Sequence, residues 1–171
     1  MSILDQWGWN WANWQKGERG EYWFLAQVIS LVAFALLPIK PIVEQILLDR
    51  AVKVGIVATA GIFGLVALVL IGKGLLDLGR SLTPLPYPRE DGELVTTGVY
   101  SLIRHPLYTG IIFAALGWVL FTLSWPHFLG FLAIAGLLDR KATVEEMWLE
   151  QKYPDYSAYR SRVKKLVPWI W

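Results

Sequence analysis

The sequence predicts an all-α fold: an integral membrane helical bundle of about four transmembrane helices, with an N-terminal interfacial helix and cytoplasmic C-terminal helices. Three observations lead there. From His105 to Leu138 no Asp, Glu, Lys or Arg occurs. Two further uncharged stretches, Tyr22 to Ile39 and Val54 to Gly72, are each about the ~20 residues that one bilayer crossing needs. The chain is 55% hydrophobic with ten tryptophans and a mean hydropathy of +0.42, too apolar for an ordinary soluble domain.

Each element follows from its residues. Trp7, Trp11 and Trp14 recur at helical spacing, which predicts a short helix over 1–21 lying among lipid headgroups. Tyr22 to Ile39 is the first membrane helix, closed by Pro38 and Pro41, and Val54 to Gly72 is the second. In the second, Ala60, Gly61 and Gly64 permit close helix packing. Residues 73–105 form a polar connector in which Pro84, Pro86 and Pro88 impose an extended path. So long a connector without regular structure suggests a functional role. The uncharged run beginning at His105 is too long for one crossing and breaks at Ser124-Trp125-Pro126. It reads as a hairpin of helices over about 106–123 and 127–138, the second continuing into the polar tail. Gly110, Ala114 and Gly117 form a small-residue stripe on the first arm. His127, just after the break, is expected at the membrane interface. Thr143 and Glu146 fit a capping box opening a tail helix. Beyond the break at Tyr153-Pro154-Asp155, a last helix carries Tyr156, Tyr159 and Arg160, and Trp169-Ile170-Trp171 reads as an interface anchor.

Charge sets the expected topology. Of the sixteen Lys and Arg residues, all but Lys40, Arg50 and Lys53 fall in the N-terminal segment, the 73–105 connector and the tail. The positive-inside rule places those three segments, and both termini, in the cytoplasm. Met1 to Asp5 lacks the basic and apolar regions of a cleaved leader. A net charge of +2 gives no reason to expect nucleic acid. With no cysteine, disulfides and thiolate chemistry are excluded, and two histidines at opposite ends of a hairpin do not make a metal site.

The chemistry concentrates in two clusters, Tyr100, Arg104, His105 and Tyr108 before the hairpin, and Arg140, Glu145, Glu146, Tyr156 and Tyr159 after it. A hairpin returns the chain to the side it left, so the clusters can meet in one pocket open to lipid. Simpler readings stand beside this one: Arg104 and His105 snorkelling to phosphates, Glu146 as a cap, the tyrosines as interface residues.

These residues carry a resemblance. Gly98-x-Tyr100-x-x-x-Arg104-His105-Pro106-x-Tyr108-x-Gly110, a hydrophobic hairpin, Glu145-Glu146-x-x-Leu149, and Tyr153-Pro154-Asp155-Tyr156-x-x-Tyr159-Arg160 follow one another in order. The set resembles the isoprenylcysteine carboxyl methyltransferase and phospholipid methyltransferase superfamily of integral membrane enzymes, over about residues 75–170. The resemblance implies one domain over 1–171, with N-terminal helices to residue 72 and a catalytic core from 73. It implies S-adenosyl-L-methionine as methyl donor and an amphiphilic acceptor, prenylated or lipid-like, entering from the bilayer. Tyr100, His105, Leu107, Tyr108, Glu145 and Glu146 would surround the cofactor. Arg104, Arg140 and Glu145 are the candidate catalytic residues, the two arginines lying where the family places cations near the acceptor. Arg140 is about one residue out of the spacing of the eukaryotic enzymes, and Tyr153-Pro154-Asp155 stands where those often have Phe-Gly. The compact form suggests a prokaryotic cytoplasmic membrane. Carboxyl, amine and thiol acceptors remain open at this point. So do a sterol-type reductase, which shares an Arg-His-Pro-x-Tyr segment and uses a nicotinamide cofactor, and a non-enzymatic scaffold.

Overall fold

The computed structural model describes residues 17–42 and 48–168. Residues 1–16 of the expected headgroup helix and the closing Trp-Ile-Trp lie outside those residues, and residues 17–20 form a turn. Five α-helices follow one another: α1 (Glu21–Leu36), α2 (Arg50–Leu78), α3 (Pro106–Thr122), α4 (Trp125–Lys152) and the short α5 (Tyr156–Arg162). Among the described residues there is no strand, only isolated bridges between Pro41 and Ser124 and between Ile103 and Lys164.

The helix boundaries have local causes. α1 starts after Gly20, at φ 82°, and ends where Leu37 turns extended before Pro38. α2 is capped by Asp49, whose side chain accepts from the Ala51 N–H at 2.9 Å, and stops at Gly79, φ 48°. It has 29 residues, extending beyond the expected Val54–Gly72 span at both ends and taking in Lys53, Lys73 and Asp77. Charged residues near a helix end extend into water without breaking backbone hydrogen bonds, so charge marks the apolar span and not the helix. α3 begins at Pro106, whose missing N–H costs nothing in a first turn. α4 is continuous for 28 residues. This overturns the capping box: Thr143 is mid-helix, and its hydroxyl donates to the Asp139 carbonyl one turn back at 3.0 Å. His127, at the hairpin turn, is buried. Its ring lies 2.9 Å from the Ser124 hydroxyl through Nδ1 and edge-on to Phe34.

Neighbours in the bundle do not follow chain order. α2 packs along α3, α3 on α4, and α4 on α1. Gly110 and Gly117 seat α3 on α2. A Cβ on Gly110 would lie 3.1 Å from the Ala67 carbonyl oxygen, and one on Gly117 would lie 3.1 Å from that of Ala60. Ala114, the third member of the stripe, is exposed. Among the described residues, one helix is long and apolar enough to cross a membrane, Arg50–Ser81, and only 11% of its apolar window is buried. Ile62, Leu65, Leu68, Val69 and Leu76 stand open along it, and exposed apolar faces of this kind suit contact with a partner or a membrane.

One end of the bundle gathers the start of α1, the connector, and residues 139–168. The Tyr87 N–H donates to the Arg19 carbonyl at 3.3 Å. The Lys152 ammonium donates to the Arg89 and Glu90 carbonyls. Tyr153 donates to the Gly92 carbonyl at 2.6 Å. The connector is thereby held over the bundle end as a roof, with Leu85, Pro86 and Pro88 buried beneath it.

Candidate active site

Under that roof lies a cavity of about 400 Å³. Its apolar wall includes Phe24 of α1, Ile71 and Leu75 of α2, and Leu107 and Ile111 of α3. Its polar wall includes Tyr100, Arg104, His105, Tyr108, Lys141, Glu145, Tyr156 and Tyr159. The two clusters that the hairpin was expected to unite do meet.

The strongest contacts lie behind the wall. Arg104 grips Glu146 through Nε at 2.8 Å and Nη2 at 2.7 Å, both on Oε1. Its Nη1 donates to the Arg160 carbonyl at 3.1 Å and to the Val163 carbonyl. His105 Nε2 lies 3.1 Å from the same Glu146 oxygen. Arg104 and Glu146 side chains are 8% and 4% exposed, so this is a buried, fully engaged ion pair. Both residues lie beyond the apolar stretches of their chain segments. Burial alone would push the Glu146 carboxyl upward; hydrogen bonds and charge from His105 and Arg104 prevail and bring it from an ordinary 4.5 to about 2.

Glu145 is different. Its side chain is 26% exposed and lines the cavity. Oε2 accepts from the Tyr108 hydroxyl at 2.7 Å and lies 3.8 Å from His105 Nδ1. His105 and Tyr108 stack with centroids 5.4 Å apart. The helical offset between adjacent residues, about 100°, separates the two glutamates: Glu145 faces the space, Glu146 the protein.

The same offset separates Arg140 from its neighbour. Arg140 is exposed and outside the cavity lining. Lys141, four residues before Glu145 and on its face, is 2% exposed. Its ammonium donates to Gln27 Oε1 of α1 at 2.6 Å and to the Pro84 carbonyl of the roof at 3.2 Å. It also lies 5.2 Å from the Tyr108 ring centroid. Burial opposes the charge and brings the Lys141 ammonium from an ordinary 10.5 to about 8, while the nearby Glu145 carboxylate works the other way. Sequence reasoning passed over Lys141; its i, i+4 relation to Glu145 was the available signal.

The backbone of the Arg-His-Pro segment is held by the chain's later part. The Arg104 and His105 N–H groups donate to the Lys164 and Lys165 carbonyls at 2.9 and 3.1 Å. The Thr109 hydroxyl reaches the Leu166 carbonyl at 2.7 Å. Upstream, Gly98 at φ 60° lets the Val99 N–H donate to Asp77 at 2.8 Å. The Tyr159 hydroxyl donates to the Tyr100 carbonyl at 2.6 Å. Leu107 and Tyr108 therefore leave a fixed platform.

Comparison with known proteins accords with this geometry. The chain is 34% identical over 105 residues to a protein-S-isoprenylcysteine O-methyltransferase of Schizosaccharomyces pombe, covering 59% of this chain and 44% of that protein. It is 33% identical over 107 residues to the cobalt-zinc-cadmium resistance protein CzcN of Cupriavidus metallidurans, covering 61% and 49%. A probable protein-S-isoprenylcysteine O-methyltransferase of Oryza sativa is 26% identical over 153 residues, 84% of this chain and 77% of that one. The match thus spans about half the length of the first two relatives. The family model for phospholipid methyltransferases matches residues 55–156, from the first turns of α2 through the cavity wall to Tyr156. On that match, which takes in more than half of its residues, the chain belongs to the phospholipid methyltransferase family.

Proposed function

We propose that this protein transfers a methyl group from S-adenosylmethionine to a lipophilic acceptor that reaches the cavity from the bilayer. One observation carries the reading: Glu145 and Lys141, a carboxylate and a cation one helical turn apart, face the same largely apolar cavity. That pairing suits a zwitterionic donor beside an amphiphilic acceptor. A volume of about 400 Å³ falls within the roughly 300–1,000 Å³ of small-molecule sites.

When bound, S-adenosylmethionine supplies a sulfonium-activated methyl group that passes in line to the acceptor and leaves a neutral thioether. The protein's work is then positioning and electrostatics. Glu145, held by Tyr108, takes the ammonium of the methionine moiety. The stacked His105 and Tyr108 rings offer a flat wall for the adenosine. Lys141 lies closer to the apolar part of α4 than Glu145 does and meets the polar head of the acceptor, which Ile71, Leu75 and Leu107 accompany with apolar contact. Arg104 and Glu146 act from behind, fixing the His105 ring. For a carboxylate acceptor no base is needed. An amine or thiol would give up its proton to His105 or Glu145.

Calorimetric titration of S-adenosylhomocysteine into the purified protein tests this. Micromolar binding, weakened at least tenfold in His105→Ala and in Glu145→Ala, is the expected result. No binding by folded, lipid-supplied wild type would overturn the reading.

A further inference from the structure

α1 stands before the residues that the family model matches, 55–156, yet it supplies Phe24 and Gln27 to the cavity wall. From Phe24 to Leu36 only Gln27 and Ser30 carry polar side chains. Ser30 spends its hydroxyl within α1, donating to the Gln27 backbone carbonyl at 2.9 Å. Gln27 instead reaches across to α4, where its Oε1 accepts from the Lys141 ammonium at 2.6 Å. A half-buried carboxamide in an otherwise apolar stretch is costly unless it is used.

The geometry of Lys141 shows what the contact does. An ammonium has three N–H groups in a tetrahedral arrangement. One points to Gln27 of α1 and one to the Pro84 carbonyl of the roof, at 3.2 Å. Fixing two fixes the third, and Lys141 lines the cavity. Glu145, one turn along α4, acts on the Lys141 charge, but its Oε2 is taken by the Tyr108 hydroxyl. A carboxamide facing an ammonium must present its oxygen, so the Gln27 NH2 group is turned away from Lys141. Lys141 and Gln27 therefore have only N–H donors left to offer a ligand. An oxygen anion can accept from both, whereas an ammonium head would meet like charge in a place where water screens little.

We propose that Gln27 is a positioning residue: by holding the Lys141 ammonium toward α1, it makes that side of the cavity select acceptors whose polar head carries an oxygen anion. This rests on the acceptor reading above and names the head. A carboxylate and a lipid phosphate share that chemistry. The selection comes from α1, outside the matched residues.

The test compares probes of one chain length, radiolabelled hexadecanoate, hexadecyl phosphate and hexadecylamine, on the full-length chain in one detergent at pH 7, beside S-adenosylhomocysteine. Wild type should bind one of the anions at least tenfold more tightly than the amine, and the better of the two tells a carboxylate seat from a phosphate seat. Gln27→Met, of similar length, should reduce that preference at least tenfold. Gln27→Glu keeps an oxygen on Lys141, so it would serve a purely structural bond as well as glutamine does. It should nevertheless erase or reverse the preference, because its carboxylate neutralises the ammonium. Both variants should bind S-adenosylhomocysteine within twofold of wild type. No preference in wild type, or the wild-type preference retained in Gln27→Glu, would overturn the proposal. Failure of wild type to bind S-adenosylhomocysteine would overturn the donor reading, while the probe series would still decide the role of Gln27. Should Gln27→Met not purify folded, Gln27→Glu decides alone.

Discussion

Adjacent side chains on α4 do opposite work, and substitution should separate them. Glu146→Ala removes the counterion of a buried Arg104 and the partner of His105, a loss of about 3–5 kcal/mol, read as a lowered unfolding midpoint. Glu145→Ala, at a partly exposed cavity wall, should leave that midpoint nearly unchanged while weakening S-adenosylhomocysteine at least tenfold. The depressed Glu146 carboxyl adds a pH signature. Its folded value lies below its unfolded one, so its stabilisation is complete above about pH 4.5 and is lost as pH falls toward 2. Thermal midpoints should be insensitive to Glu146 between pH 5 and 8 and show the drop below, and Glu146→Gln should remove that drop. Lys141→Met keeps the volume and drops the charge; turnover should fall at least tenfold with S-adenosylhomocysteine affinity held within twofold. Of this sorting the sequence offered only the i, i+4 spacing of Lys141 and Glu145. Helical phase must be known to one residue to tell Arg140 from Lys141 or Glu145 from Glu146, and hydropathy places a helix only to within a turn.

At the scale of helices, glycine position decides what can be tolerated. Gly117 of α3 abuts the Ala60 carbonyl, whereas Gly61 of α2 has open space around its Cβ direction. Gly117→Leu should therefore cost about 1–3 kcal/mol or more through overpacking, and Gly61→Leu little, both measured by thermal unfolding in the same detergent. The sequence disclosed the hairpin and its turn because Pro106 and Pro126 each stand in a helix's first turn, where proline is welcome. It disclosed the extended connector because alternating prolines leave few other conformations. It misjudged the ends of α2 and the inside of α4 for a common reason. Polar residues at those points are satisfied by backbone carbonyls and by one another, and such partners are not visible from spacing alone.

The whole molecule has two dissimilar ends, and this too was foreseeable from the distribution of lysine and arginine. The chain contains no cysteine, so single cysteines can report on sidedness in sealed vesicles. Thr96→Cys and Gln151→Cys should be labelled from one side and Asp49→Cys from the other; labelling of all three from the same side would refute the alternating course of α1 to α4. The order in which helices pack, α2 on α3 on α4 on α1, was not foreseeable, because apolar helices of similar composition do not name their neighbours. The late carbonyls that hold Arg104 and His105 have a consequence for biogenesis. Residues 163–166 leave the ribosome after α1 to α5 have been made. A nascent chain can insert all of its apolar segments and still have a loose Arg-His-Pro loop. The cavity wall is thus completed only when the segment after α5 has folded back onto that loop.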